Sequence, residues 1–204
     1  MEPACQAGLL QACRTGDLML LLLSLQQGGN PHCSHGWPLR RAVRYSQARV
    51  WRYLLSLPGP ALNNANPAGL AALHTAARFD VVEAAEDLLA VPAVLPNLLT
   101  ALGSSPLAVA AKYCSTGVVQ LLVQDSRVEL DSRDCQGRTA DEVVGAALAA
   151  PDRQQRENIL QIIREERERR KAADEIKEKI SEKLDLSIEH FKIEINVDEG
   201  YFTE

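Results

Sequence analysis

His32, Cys33 and His35 stand within four residues of one another, and side chains of these types so close together could form half of a zinc site. Structural zinc takes four ligands, usually as two paired halves, and no second half follows nearby, so the expected role of this stretch is a loop. Cys5, Cys13, Cys33, Cys114 and Cys135 are odd in number and irregularly spaced, without a Cys-x-x-Cys pair. That pattern points to free thiols in a reducing compartment. No P-loop, Gly-x-Gly-x-x-Gly, Gly-x-Ser-x-Gly or His-Glu-x-x-His is present, so neither a phosphate cradle nor an activated nucleophile is marked out. The expectation is a protein without catalytic residues, metal or cofactor.

Charge narrows the partners. Of the net −5, residues 1–151 carry −1, residues 152–184 carry +1 and residues 185–204 carry −5. No part has the basic excess that nucleic-acid binding requires. The apolar run Leu18 to Leu25 is only eight residues long, is preceded by Glu2 and Asp17 and has no basic n-region. It neither spans a bilayer nor reads as a secretory signal. A cytoplasmic or nuclear location is expected, with no membrane partner. Aromatic residues make up 4% of the chain, so the core must be aliphatic, which suits close helix–helix contact.

The elements that would position any site emerge from a repeat. Ser105-Pro106-Leu107-Ala108-Val109-Ala110-Ala111 is followed by Val118-Val119-Gln120-Leu121-Leu122. Thirty-four residues earlier stands Ala71-Ala72-Leu73-His74-Thr75-Ala76-Ala77, and 34 before that Trp37-Pro38-Leu39-Arg40-Arg41-Ala42-Val43. A unit 30 residues earlier begins at Ala7 and ends in Gly28-Gly29-Asn30; another opens at Asp134-Cys135-Gln136-Gly137-Arg138-Thr139-Ala140. Proline at the second position suits a first helical turn, the Ala-Ala pair permits close helix contact, and the Val-Val-x-Leu-Leu segment makes an apolar stripe. Gly69, Gly103 and Gly137 recur in phase, where a tight turn is needed.

This pattern resembles the ankyrin-repeat family, over roughly residues 4–165. The resemblance implies an all-α solenoid of about five stacked helix-turn-helix units with β-turn loops. It departs from the family at Ser46, Asp80 and Cys114, which replace a helix-turn glycine kept as Gly16. The histidine of the family's Thr-Pro-Leu-His motif survives only as His74, whose implied role is hydrogen bonding between adjacent turns. Three regions are expected: 1–165, the repeat domain; 166–184, a charged amphipathic helix; and 185–204, an acidic tail. Ile159-Leu160-Gln161-Ile162-Ile163 reads as the second helix of unit five, following a poly-Ala first helix.

In the family the two residues after Ala-Ala lie on the concave face. Here they are Arg14-Thr15, Arg44-Tyr45, Arg78-Phe79 and Lys112-Tyr113. The column Arg14, Arg44, Tyr45, Arg78, Phe79, Lys112 and Tyr113 would suit an acidic peptide with aromatic anchors. Arg40, Arg41, Arg49 and Arg52, with Trp37, Trp51 and Tyr53, concentrate charge and rings in unit two. The expected function is an adaptor that captures another protein in this groove. The alternative is an assembly protein that pairs through Ile176, Ile180 and Leu184, a thin stripe at helical spacing. In the acidic tail, Ile193, Ile195 and Val197 alternate with Glu194 and Asn196. This strand-like pattern resembles motifs that bind small ubiquitin-like modifiers by strand addition.

Overall fold

A computed structural model describes residues 3–59, 62–146 and 152–199, with the side chains of residues 3–5, 34 and 185–199 excepted. The chain divides into two compact bodies, residues 1–163 and 164–204. Every regular element among the described residues is helical, and none is long and apolar enough to cross a membrane.

The first body is built from helix pairs: α1 (Pro3–Thr15) with α2 (Leu18–Gln26), α3 (Cys33–Arg44) with α4 (Ala48–Ser56), α5 (Ala72–Phe79) with α6 (Val82–Leu89), and α7 (Pro106–Lys112) with α8 (Thr116–Gln124). Connections of two or three residues force the partners of a pair to lie antiparallel. The first helices also pack on one another in chain order, α1 on α3 on α5 on α7, and α2, α4, α6 and α8 do the same. Two rows of helices thus face each other. Between them lie fully buried aliphatic side chains, among them Leu9, Leu21, Val50, Leu88, Leu107 and Leu122. Each contributes about 1.5–3 kcal/mol on burial.

The turn inside each pair has one geometry. Gly16, Ser46, Asp80 and Cys114 all take left-handed φ, from 52° to 79°. Such a residue ends the first helix and lets the next N–H return to a carbonyl in its last turn. Gln47 N–H donates to Ala42 O at 2.9 Å, Val81 N–H to Ala76 O at 3.1 Å and Ser115 N–H to Ala110 O at 2.9 Å. A non-glycine residue in this conformation costs about 1–2 kcal/mol, and neighbouring pairs supply compensation. Asp80 Oδ1 accepts from Val118 N–H at 2.9 Å, tying one pair to the next.

The loops between pairs are also in register. Gly69, Gly103 and Gly137 donate to the carbonyls of Asn66, Thr100 and Asp134 at 2.7–2.9 Å. Neighbouring loops join through Ala101 N–H to Ala68 O and Cys135 N–H to Leu102 O, both 3.0 Å. A side chain at Gly69 would collide with the backbone of Thr100 and Ala101, which explains glycine there beyond its φ of 78°. Asn63 and Asn97 repeat the theme. Asn63 bridges Ala93 O and Leu95 N–H, and Asn97 bridges Arg127 O and Glu129 N–H.

Three sequence expectations need correction. Pro38 lies six residues into α3, not in its first turn. His35 and Gly36 carry φ of 59° and 74°, so the right-handed run is interrupted just before Pro38 and its missing N–H leaves no gap in a regular ladder. Where the first helix of unit five would begin, the described chain forms a 3-10 turn, Asp141–Val143, and Gly145 turns left-handed and donates to Ala111 O at 3.0 Å; the poly-Ala run itself falls almost wholly beyond these residues. Residues 147–151 lie outside the described residues. The strand-like residues Ile193 to Val197 are helical, within α9 (Arg153–Glu199). A strand's backbone groups need a neighbouring strand, and none exists among the described residues; a helix satisfies its own.

Within the first body, Asp152 starts α9 by accepting Gln154 N–H on its carboxylate, and Ile159 and Ile163 are fully buried. In the second body, Arg169 and Arg170 pair with Glu166, and Lys177 with Asp174. Ile176, Ile180 and Leu184 are each about 60% exposed along one stripe.

Candidate functional site

The last helical turn before each left-handed residue projects side chains in the same way from every pair. Arg14, Arg44 and Arg78 therefore fall in one column, with Tyr45, Phe79 and Tyr113 one pair further along in each case. The guanidinium of Arg14 stands 5.8 Å from the ring centre of Tyr45. Arg44 lies between two rings, 5.7 Å from Tyr45 and 5.3 Å from Phe79. Arg78 does the same, 5.4 Å from Phe79 and 5.0 Å from Tyr113. The result is an alternating ladder of cations and rings running across four helix pairs. Each contact is worth about 0.5–1 kcal/mol at an exposed site, enough to restrain long side chains that would otherwise be mobile. Of the seven residues expected here the ladder brings six together. The seventh, Lys112, closes α7 beside Tyr113 and takes no part in these stacks.

A branch of the ladder runs into the wall of α3. The Arg41 guanidinium stands 4.7 Å from Trp37 and 5.5 Å from Tyr45, and its Nε lies out of reach of solvent without a hydrogen-bond acceptor. Arg40 is buried beside it, and burial pushes its guanidinium pKa down from the usual value. Arg40, Arg41, Arg44 and Arg78 converge with Trp37, Tyr45 and Phe79 around a cavity of about 250 Å³ between α3 and α5. Asn66, Leu70, His74 and Thr75 complete its wall, and among the described residues no carboxylate lines it. A second, shallower hollow shares Trp37, Arg40 and Asn66 and continues towards His35 and Pro67.

His74 belongs to the framework. Its Nδ1 accepts Ala71 N–H at 3.2 Å at the start of α5, which leaves the neutral ring protonated on Nε2. Burial pushes its pKa down to about 4, against an opposite pull from the backbone of Ser104 and Leu98 in the next loop.

The other arginines and rings of unit two go elsewhere. Arg52 pairs with Glu83 and Asp87 of α6, both at 2.7 Å. Trp51 is buried and donates Nε1–H to the same Asp87 oxygen at 2.8 Å. Tyr53 packs against the core and Arg49 is exposed. Sequence reasoning did not single out Asn66, Leu70 or Thr75 as wall residues. The signal available for Asn66 was its 34-residue register with Thr100 and Asp134, which marks a loop position but not a cavity wall.

Among the described residues no group of three His, Cys, Asp or Glu side chains is gathered as a metal site would need. Cys13 is buried, which pushes its thiol up to about 12. Cys114 is buried too and shifted in the same direction, while Cys135 is exposed. No known family model matches this chain, and no curated protein matches it significantly.

Proposed function

We propose that this chain is an ankyrin-repeat adaptor that binds an acidic, aromatic-bearing segment of another protein, in the cytoplasm or nucleus, without catalysis. The observation that carries this reading is the ladder Arg14–Tyr45–Arg44–Phe79–Arg78–Tyr113. Cations held between rings are pre-oriented, so less side-chain entropy is lost on binding. Rings flanked by arginine offer the anchor types that dominate binding energy in protein interfaces. The 34-residue register of left-handed turns and glycine loops supports the family reading, and in that family this face is concave. The test is affinity capture with the full chain and with the triple variant R44E/R78E/K112E. The variant should keep its helicity and lose the partner; a partner retained at equal yield would refute the groove reading.

A second reading rests on a separate observation. Ile176, Ile180 and Leu184 form an exposed apolar stripe on a helix otherwise rich in charge. Under that reading the chain self-associates through α9. Light scattering on the full chain and on I176K/I180K decides it: a dimer that becomes monomeric supports pairing, and a monomer in both refutes it.

A further inference from the structure

The proposed function asks for an acidic segment that carries rings, and this chain contains one. Residues 185–204 hold six Asp and Glu against Lys192 alone, so the whole net −5 resides there and residues 1–184 balance to zero. The smaller aromatic residues divide in a matching way. Of three Phe and four Tyr, Tyr45, Phe79 and Tyr113 stand in the ladder. Phe191, Tyr201 and Phe202 fall within residues 185–204, and Tyr53 packs against the core.

The ladder offers the opposite sign. Arg14, Arg44 and Arg78 are exposed, and stacking on a ring leaves a guanidinium its charge. Tyr45 and Phe79 are 37% and 42% exposed between them, so ring faces and cations are open to the same occupant. The backbone of residues 185–199 continues α9; their side chains, and residues 200–204 altogether, lie outside the described residues. α9 is one helix of 47 residues without proline or glycine, about 70 Å long at 1.5 Å per residue. Helices turn sharply almost only at such breaks, which favours an occupant from a second molecule.

We propose that residues 185–204 of a second copy of this chain occupy the ladder groove, so that the protein self-associates through it and an external partner enters by displacing that segment. The inference rests on the groove reading above and gives that groove a resident occupant. Reciprocal exchange puts each acidic segment in the other copy's groove and closes a two-fold dimer. Once one segment is seated, the second binds at an effective concentration in the millimolar range, so individually weak contacts hold the pair.

The test is sedimentation velocity on the full chain over a range of protein concentrations. The wild type should dimerise. Raising salt from about 50 to 500 mM should weaken the dimer at least about tenfold, since exposed charges are screened beyond a Debye length. R44E/R78E/K112E and E189K/E194K/D198K/E199K should each be monomeric with unchanged circular dichroism spectra. Their equimolar mixture should dimerise again, because each groove then meets a segment of opposite sign. E175Q/E178Q, exposed on α9 ahead of the acidic segment, should keep the dimer. A wild type monomeric at every concentration, a dimer kept by either charge-reversed variant, or a mixture that stays monomeric would each overturn the proposal. So would a dimer lost in I176K/I180K but kept by both charge-reversed variants, which would place pairing on the α9 stripe. A monomeric wild type with R44E/R78E/K112E still losing the cellular partner would leave the groove reading standing. Partner and dimer both kept by that triple variant would remove both.

Discussion

His74 makes stability depend on pH in a calculable way. Its ring is fully buried and its pKa in the folded chain is about 4, against about 6.5 for an unperturbed imidazole. The folded pKa is the lower one, so between these values the unfolded chain binds more protons and stability rises with pH. The contribution is nearly complete at pH 7 and is lost as pH falls through 6.5 towards 4. At about 1.36 kcal/mol per pKa unit, lowering the pH from 7 to 5 should remove about 2 kcal/mol through this residue alone. With an m-value of about 2 kcal/mol per molar urea, the unfolding midpoint should drop by about 1 M. The perturbation is His74→Gln, which keeps a polar acceptor near Ala71 N–H but cannot titrate. It should cost stability at pH 7 through imperfect fit, and its midpoint should fall by about 1 M less than the wild type between pH 7 and 5. Parallel pH profiles for the two proteins would refute the claim that burial of a neutral His74 sets this dependence.

Leu122 is fully buried between the helix rows, so Leu122→Ala should cost about 2–5 kcal/mol; urea denaturation with an unchanged midpoint would contradict the packing described. Asp87→Ala removes the acceptor of Trp51 Nε1–H, a buried donor, and the charge partner of Arg52. It should destabilise by about 1–3 kcal/mol, whereas Glu83→Ala, which removes only an exposed ion pair, should cost at most about 1 kcal/mol. Native-state alkylation at pH 8 followed by peptide mapping should label Cys135 first and leave Cys13 last, since burial raises the Cys13 thiol to about 12 and only thiolates react.

Helix pairing and the site column were legible in the chain because both depend on register. The 30- and 34-residue spacings place Ser46, Asp80 and Cys114 in the same left-handed turn as Gly16, although the four residues differ. The backbone there is dictated by two helices that must reverse and pack, and the side chain has only to tolerate it. The residues just before that turn inherit a common direction, and Arg14, Arg44, Tyr45, Arg78, Phe79 and Tyr113 fall together for that reason. The resemblance to the Thr-Pro-Leu-His motif marked His74 as framework through hydrogen bonds between adjacent turns; the acceptance of Ala71 N–H at the start of its own helix is visible only in the structure.

Other features were decided by neighbours in space. Arg40, Arg41 and Arg52 are alike in sequence, yet the first two line the cavity and the third joins Glu83 and Asp87. Arg40 and Arg41 lie on α3 facing α5, while Arg52 lies on α4 facing α6, and long flexible side chains settle where partners exist. Alternation at Ile193 to Val197 reads as a strand, but a strand without a neighbour cannot pair its backbone, and the chain stays helical. The described start of unit five is a 3-10 turn, after which Gly145 donates to Ala111 O in the last turn of α7. The sequence by itself determined the period, the turns and the direction of the column. Tertiary structure decided which arginines meet a carboxylate and which line the cavity between α3 and α5, because that depends on distances between helices, which a one-dimensional pattern does not contain.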